Sequence, residues 1–158
     1  MTVLANIRQL LNDNQVEYRE VHHEPTFTSE ESARVRGESL KIGGKALLMS
    51  GDSEFRLFVL PADRKVDSKA IRKKLKLRKL RFATQEELAE LTGLVPGCVP
   101  PFGQPVLPFE LYVDSGIEEN DRIAFNAGSL EDSIIMNVPD YLRLASPTGL
   151  FEFSRLVD

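Results

Sequence analysis

The stretch GLVPGCVPPFG, Gly93 to Gly103, packs three glycines and three prolines into eleven residues. Glycine lets the main chain approach a ligand closely and proline holds it still, so a loop mixing the two can present carbonyls and N–H groups in a fixed shape. Composition alone equally allows a plain connector between a helix and a strand. The flanks place the loop. Before it, Thr84 and Glu87 have the spacing of a capping box, Leu88 and Leu91 face inward, and Gly93 stands where a glycine ends a helix. After it come three strand candidates, Phe109–Val113, Arg122–Asn126 and Ser133–Val138, then a short helix over Pro139–Leu144 and a last strand near Leu150–Phe153.

Toward the N-terminus, Thr2 caps a helix in which Val3, Ile7, Leu10 and Leu11 recur at helical spacing, and Val16, Tyr18 and Val21 suggest a short strand. Thr28 with Glu31 predicts a capping box opening a second helix that Gly37 terminates. Lys45–Met49 is an apolar run fit for a buried strand, with Glu54–Leu60 as its hairpin partner across residues 50–53. A helix over Ser68–Leu75 and a strand over Leu80–Ala83 follow. The expected fold class is α+β (mixed α/β), a curved, largely antiparallel sheet flanked by helices.

With 158 residues the chain is expected to form one domain, residues 1–158, able to bury a core without staples. Cys98 is the single cysteine, which excludes an intrachain disulfide, and no spaced Cys/His cluster is present, so neither a metal nor a cofactor is expected. The N-terminus reads as an amphipathic helix rather than a signal peptide, and no run has the length to span a bilayer. A cytoplasmic protein is the expectation, with no membrane partner.

The formal net charge of −4 conceals an asymmetry. Residues 64–81, RKVDSKAIRKKLKLRKLR, hold ten of the twenty Lys and Arg and one acid, Asp67. Such density on an otherwise acidic chain suits a polyanion. Lys69, Arg72, Lys73, Lys74, Lys76 and Arg78 are its candidate contacts, although a charge run can also be a solvated helix face.

GCVPPFG, Gly97 to Gly103, resembles the Gly-x-x-x-Pro loop, followed by Phe-Gly, of the YbaK and prolyl-tRNA synthetase-associated editing domains. Three more segments fall in that family's order: HHEPTFTSEESA with Thr28, GGKALLM with Lys45, and RIAFNAGSLEDSIIM with its turn Asn126-Ala127-Gly128-Ser129. The resemblance covers essentially the whole chain. It implies a hydrolase that deacylates, in trans, mischarged tRNA carrying a small amino acid such as Ala, Cys, Ser or Thr, on a domain that some bacterial prolyl-tRNA synthetases carry as an insertion. Charged tRNA is the implied partner and an aminoacyl-tRNA synthetase a second candidate; DNA is not expected.

The resemblance further implies that Lys45 contacts the terminal adenosine or its phosphate, and that the loop of Gly97, Cys98, Val99, Pro100 and Pro101 surrounds the aminoacyl ester. Phe102, Gly103, Thr28, Asn126, Gly128 and Ser129 complete the expected substrate contacts. A lysine suits a phosphate, and backbone N–H groups suit a developing oxyanion. No protein base is evident, so water held by the loop or the substrate's own ribose hydroxyl has to assist. Without the resemblance, Lys45 reads as a strand-end lysine snorkelling to solvent, Thr28 as a helix cap, and Asn126–Ser129 as a tight turn. Cys98 as a nucleophile would need His22 or His23 as its base; a small residue lining the loop is the simpler reading, and the two histidines read as turn residues before Pro25. Leu130 departs from members that edit alanine and carry a histidine just after this turn, which leaves the amino acid open. A tRNA- or synthetase-binding module without catalysis, and a sensor of a small ligand, are the competing functions.

Overall fold

Thr2 accepts a hydrogen bond from the Ala5 N–H (3.1 Å) and starts α1, Val3–Asp13, which buries Ile7 and Leu11. The computed structural model describes residues 2–157. After α1 come β1 (Tyr18–His22), α2 (Ser29–Arg36), β2 (Gly44–Gly51), β3 (Glu54–Pro61), β4 (Arg64–Val66), α3 (Ser68–Leu75) and β5 (Leu80–Phe82). The chain continues through α4 (Gln85–Thr92), β6 (Leu111–Asp114), β7 (Arg122–Asn126), β8 (Asp132–Asn137), α5 (Val138–Ala145), β9 (Gly149–Phe151) and β10 (Ser154–Leu156). Short 3-10 turns stand at Leu40–Ile42 and Ser115–Glu119.

The α+β class is as expected, and the strands are shared among three sheets. β1, β8 and β7 form an antiparallel sheet, β10 and β4 a two-stranded one, and the largest has the order β5-β2-β3-β6-β9. Its first three strands are antiparallel, while β6 pairs in parallel with both β3 and β9.

Both faces of the large sheet are covered, which is why β3 is apolar without a break from Leu57 to Pro61. Leu57 and Val59 face a core shared with α1, α4 and α5, while Phe58 and Leu60 face a second core with Ile71 of α3 and Phe153. β2 alternates likewise, Leu48 facing the first core and Met49 the second. By the same period of two, Lys45 projects on the side that carries α3.

The capping box of Thr84 and Glu87 forms in full, with Glu87 N–H to Thr84 Oγ1 at 3.1 Å and Thr84 N–H to Glu87 Oε1 at 2.9 Å. At α2 only one arm forms. Glu31 N–H reaches Thr28 Oγ1 (3.1 Å), but the Glu31 carboxylate turns one residue further back, to the Phe27 N–H at 3.4 Å.

One irregularity of β2 positions the site. β5 pairs only with Met49–Gly51, and Gly43 makes an isolated parallel bridge to Ala124 of β7. Between these two contacts, among the described residues, the edge at residues 45–47 has no strand beside it. Gly44 sustains the approach to β7, since a Cβ there would come within 2.6 Å of Ile123 Cδ1.

Candidate functional site

At that open edge lies a cleft of about 220 Å³. Gly43 and the start of β2, Gly44 and Lys45, form one side; the segment entering α2 contributes Thr26, Phe27 and Thr28; α2 adds Ser32 and Arg36. Gly97, Val99 and Asn126 close the far side. Among the described residues, no Asp, Glu, His or Cys lines it.

Thr28, Lys45, Gly97, Val99 and Asn126 were expected at one site from four separate segments, and the fold brings these five together. Thr28 is also the α2 cap, so its two readings coexist. Lys45 is half-buried and forms no ion pair among the described residues. Burial pushes its pKa down, and Asp63 and Glu30 oppose that only through space. Gly97 has φ +94°, a conformation that disfavours any side chain, and its carbonyl accepts from Asn126 Nδ2 at 2.7 Å.

The remaining expected contacts lie behind the cleft. Cys98 is 4% exposed and its thiol donates to the Val95 carbonyl at 3.2 Å; burial pushes its pKa up, which opposes the thiolate a nucleophile needs. Its carbonyl accepts from Gly128 N–H (3.0 Å), so Gly128 braces the loop from outside, and a Cβ there would meet Val3 at 2.7 Å. Pro100 and Pro101 are buried, and the Pro101 carbonyl accepts from Tyr141 Oη at 2.6 Å. Phe102 belongs to the first core, and Gly103 allows the Phe109 main chain to pass. Ser129 Oγ accepts from Glu131 N–H at 3.0 Å. These seven shape the loop and its support; the cleft wall is made by others.

Arg36 was not foreseen. It donates Nε–H to Ser133 Oγ (2.9 Å) and Nη2–H to Asn126 Oδ1 (3.0 Å), so it fixes the amide that holds the Gly97 carbonyl. His23 joins this network: Nδ1 donates to the Glu24 carbonyl and Nε2 lies 2.8 Å from Ser133 Oγ. His22 instead pairs with Asp132 at 2.8 Å. Read along the chain, Arg36 is only a last-turn cation before a glycine, a common complement to a helix C-terminus.

Lys69, Arg72, Lys73 and Lys74 lie on α3, with Lys76 and Arg78 just after it. All six are exposed and none forms an ion pair among the described residues. They share the sheet side toward which Lys45 projects.

Known proteins resemble this chain in sequence and in fold. The aminoacyl-tRNA editing domain family matches residues 23–144. The multifunctional Ser/Thr-tRNA deacylase ProXp-y of Escherichia coli (strain K12) is 36% identical over 144 residues, covering 87% of this chain and 85% of that protein. The prolyl-tRNA editing protein ProX of Acetoanaerobium sticklandii is 24% identical over 145 residues, 88% of each chain. In three dimensions, the crystal structure of a proposed trans-editing enzyme for prolyl tRNA synthetase superposes with a TM-score of 0.81 over 98% of both chains, at 22% identity. The family match spans Lys45, the Gly97 loop and Asn126 together, and the chain therefore belongs to the aminoacyl-tRNA editing domain family.

Proposed function

We propose that this chain, acting as one editing domain, hydrolyses the ester of mischarged tRNA in trans, and that the cleft between Lys45 and Gly97 is where the ester is cut. The observation that supports this best is the character of the wall: among hydroxyls, glycines and apolar side chains its only charges are two cations, Lys45 and Arg36, with no acid in the described lining. Such a wall suits a ligand that brings its own negative charge. Lys45 binds the phosphate of the terminal nucleotide, and the main chain of Gly97–Val99 flanks the ester, where a water molecule adds to the carbonyl. Cys98 takes no covalent part. The pocket hydroxyls of Thr28 and Ser29 suit a small polar amino acid, and ProXp-y is a Ser/Thr-tRNA deacylase, so serine and threonine are the preferred cargo. Release of the amino acid from seryl- and threonyl-tRNA by the purified protein tests the reading.

The body of the tRNA docks on α3 and the residues after it, on the sheet side that Lys45 faces. A cytoplasmic site of action follows from that substrate, and a synthetase holding the tRNA is compatible with the same surface. Replacing Lys73, Lys74 and Lys76 together by glutamine is expected to weaken tRNA binding and to flatten the dependence of log K on log salt by about two to three units, at roughly 0.9 per lost phosphate contact. A slope equal to that of the unaltered protein would remove α3 from the docking surface.

A further inference from the structure

Arg36 is 8% exposed, and among the described residues no carboxylate pairs with it. Glu38, the only acid whose field reaches it appreciably, is already held by Arg19 (2.6 Å) and Arg122 (2.8 Å). Removing a guanidinium from water without a counter-ion is strongly unfavourable, and two neutral acceptors, Ser133 and Asn126, offset only part of it. Burial lowers its pKa to about 10, so the group stays charged at neutral pH. Nη1 donates to nothing among the described residues. It is nevertheless open to solvent, because the one sealed side-chain nitrogen among them that lacks a hydrogen bond is Arg56 Nε. Arg36 lines the cleft beside Gly43, whose added Cβ would stand 3.8 Å from Nη1.

We propose that Arg36 is an anion receptor in the cleft, its Nη1 donating to an anionic oxygen of the substrate, foremost the oxyanion formed during ester hydrolysis. The assignment rests on the deacylase reading. Water oxygen bonds to the ester carbonyl carbon and the carbonyl π pair moves onto oxygen, which becomes the oxyanion. Its collapse restores the carbonyl and breaks the bond to the ribose oxygen, which takes up the proton the water released. The hydrogen-bonded series Arg36–Asn126–Gly97 ties the guanidinium, through the Asn126 amide, to the loop assigned to the ester, which favours this oxygen over the terminal phosphate. Both are anionic oxygens, and experiment separates them.

The test measures single-turnover deacylation and the Kd for uncharged tRNA in the unaltered protein and in Arg36→Gln. The expected result is a rate constant lower by about 10²- to 10³-fold, as for loss of one oxyanion donor, with Kd changed less than about twofold. A loss confined to Kd would keep Arg36 as the receptor and move the anion to the phosphate. Arg36→Ala guards against a purely structural effect: added guanidinium ion is expected to restore part of its rate, or of its affinity if the anion is the phosphate. Unchanged rate and affinity in Arg36→Gln, or an Arg36→Ala defect that guanidinium leaves untouched, overturns the proposal. Inactivity of the unaltered protein on every charged tRNA would instead strike the deacylase reading.

Discussion

Lys45→Ala is expected to lower kcat/KM for aminoacyl-tRNA hydrolysis by about ten- to a hundredfold, the effect of losing one charge-assisted hydrogen bond of about 1.5–3 kcal/mol. The same change is expected to leave thermal stability level or slightly raised. The Lys45 ammonium bonds to no other described residue, and burial disfavours its charged form in the folded state. The sign follows from linkage: with the folded pKa depressed, the cost of keeping the ammonium charged is present at neutral pH and fades as pH rises through that pKa. Lys45→Met therefore separates the roles, keeping most of the half-buried apolar stem while removing the charge. Steady-state kinetics on one charged tRNA, with a melting curve for each variant, checks both halves. A large fall in Tm with kcat/KM unaltered would make Lys45 a packing residue.

Phe102→Ala is expected to act in the opposite way, destabilising the fold by about 3–5 kcal/mol, as for a large aromatic removed from a close-packed core. At this chain length that corresponds to a Tm lower by about 6–20 °C. Phe102 is 1% exposed and meets Phe125 and Tyr141 edge-on, with ring centroids at 5.6 and 5.3 Å. Tyr141 also donates to the Pro101 carbonyl, so the cavity opens directly beneath the loop. The fraction that stays folded should retain its KM, because the ring touches core and not cleft. Denaturant unfolding together with kinetics below the transition resolves this; a raised KM with unaltered stability would return Phe102 to the substrate wall.

Phe102 also shows where sequence reading stops. Signals confined to a few neighbouring residues were legible: the Thr84–Glu87 box, α3 over Ser68–Leu75, β7 over Arg122–Asn126, and the hairpin of β2 and β3. β4 and β10 were not, because three residues carry too little alternation and each is defined by the other across the chain. The site divides in the same way. Lys45, Thr28, Gly97, Val99 and Asn126 stood out through the motifs that hold them, whereas Phe102 and Pro101 shared a motif with the wall yet serve as its support. Arg36 meets Asn126 and Ser133 across 90 and 97 residues, and only the folded chain brings them together. Its signal is a buried charge lacking a counter-ion, which a sequence cannot display. The half-formed capping box at α2 is a smaller case of the same limit: the spacing of Thr28 and Glu31 allows the box, and the chain path at Phe27 decides which N–H the carboxylate reaches.

Ester hydrolysis in this cleft, as proposed, takes no base from the protein and leans on the substrate's own ribose hydroxyl. The most direct measurement is the time course of amino-acid release from seryl- and threonyl-tRNA, set against alanyl-, cysteinyl- and prolyl-tRNA. Each is run also on tRNA lacking the terminal 2′-hydroxyl and charged on the remaining one. Release is expected to be fastest from the seryl and threonyl substrates and strongly reduced when that hydroxyl is missing. No release from any charged tRNA, or release undiminished without the hydroxyl, would contradict it.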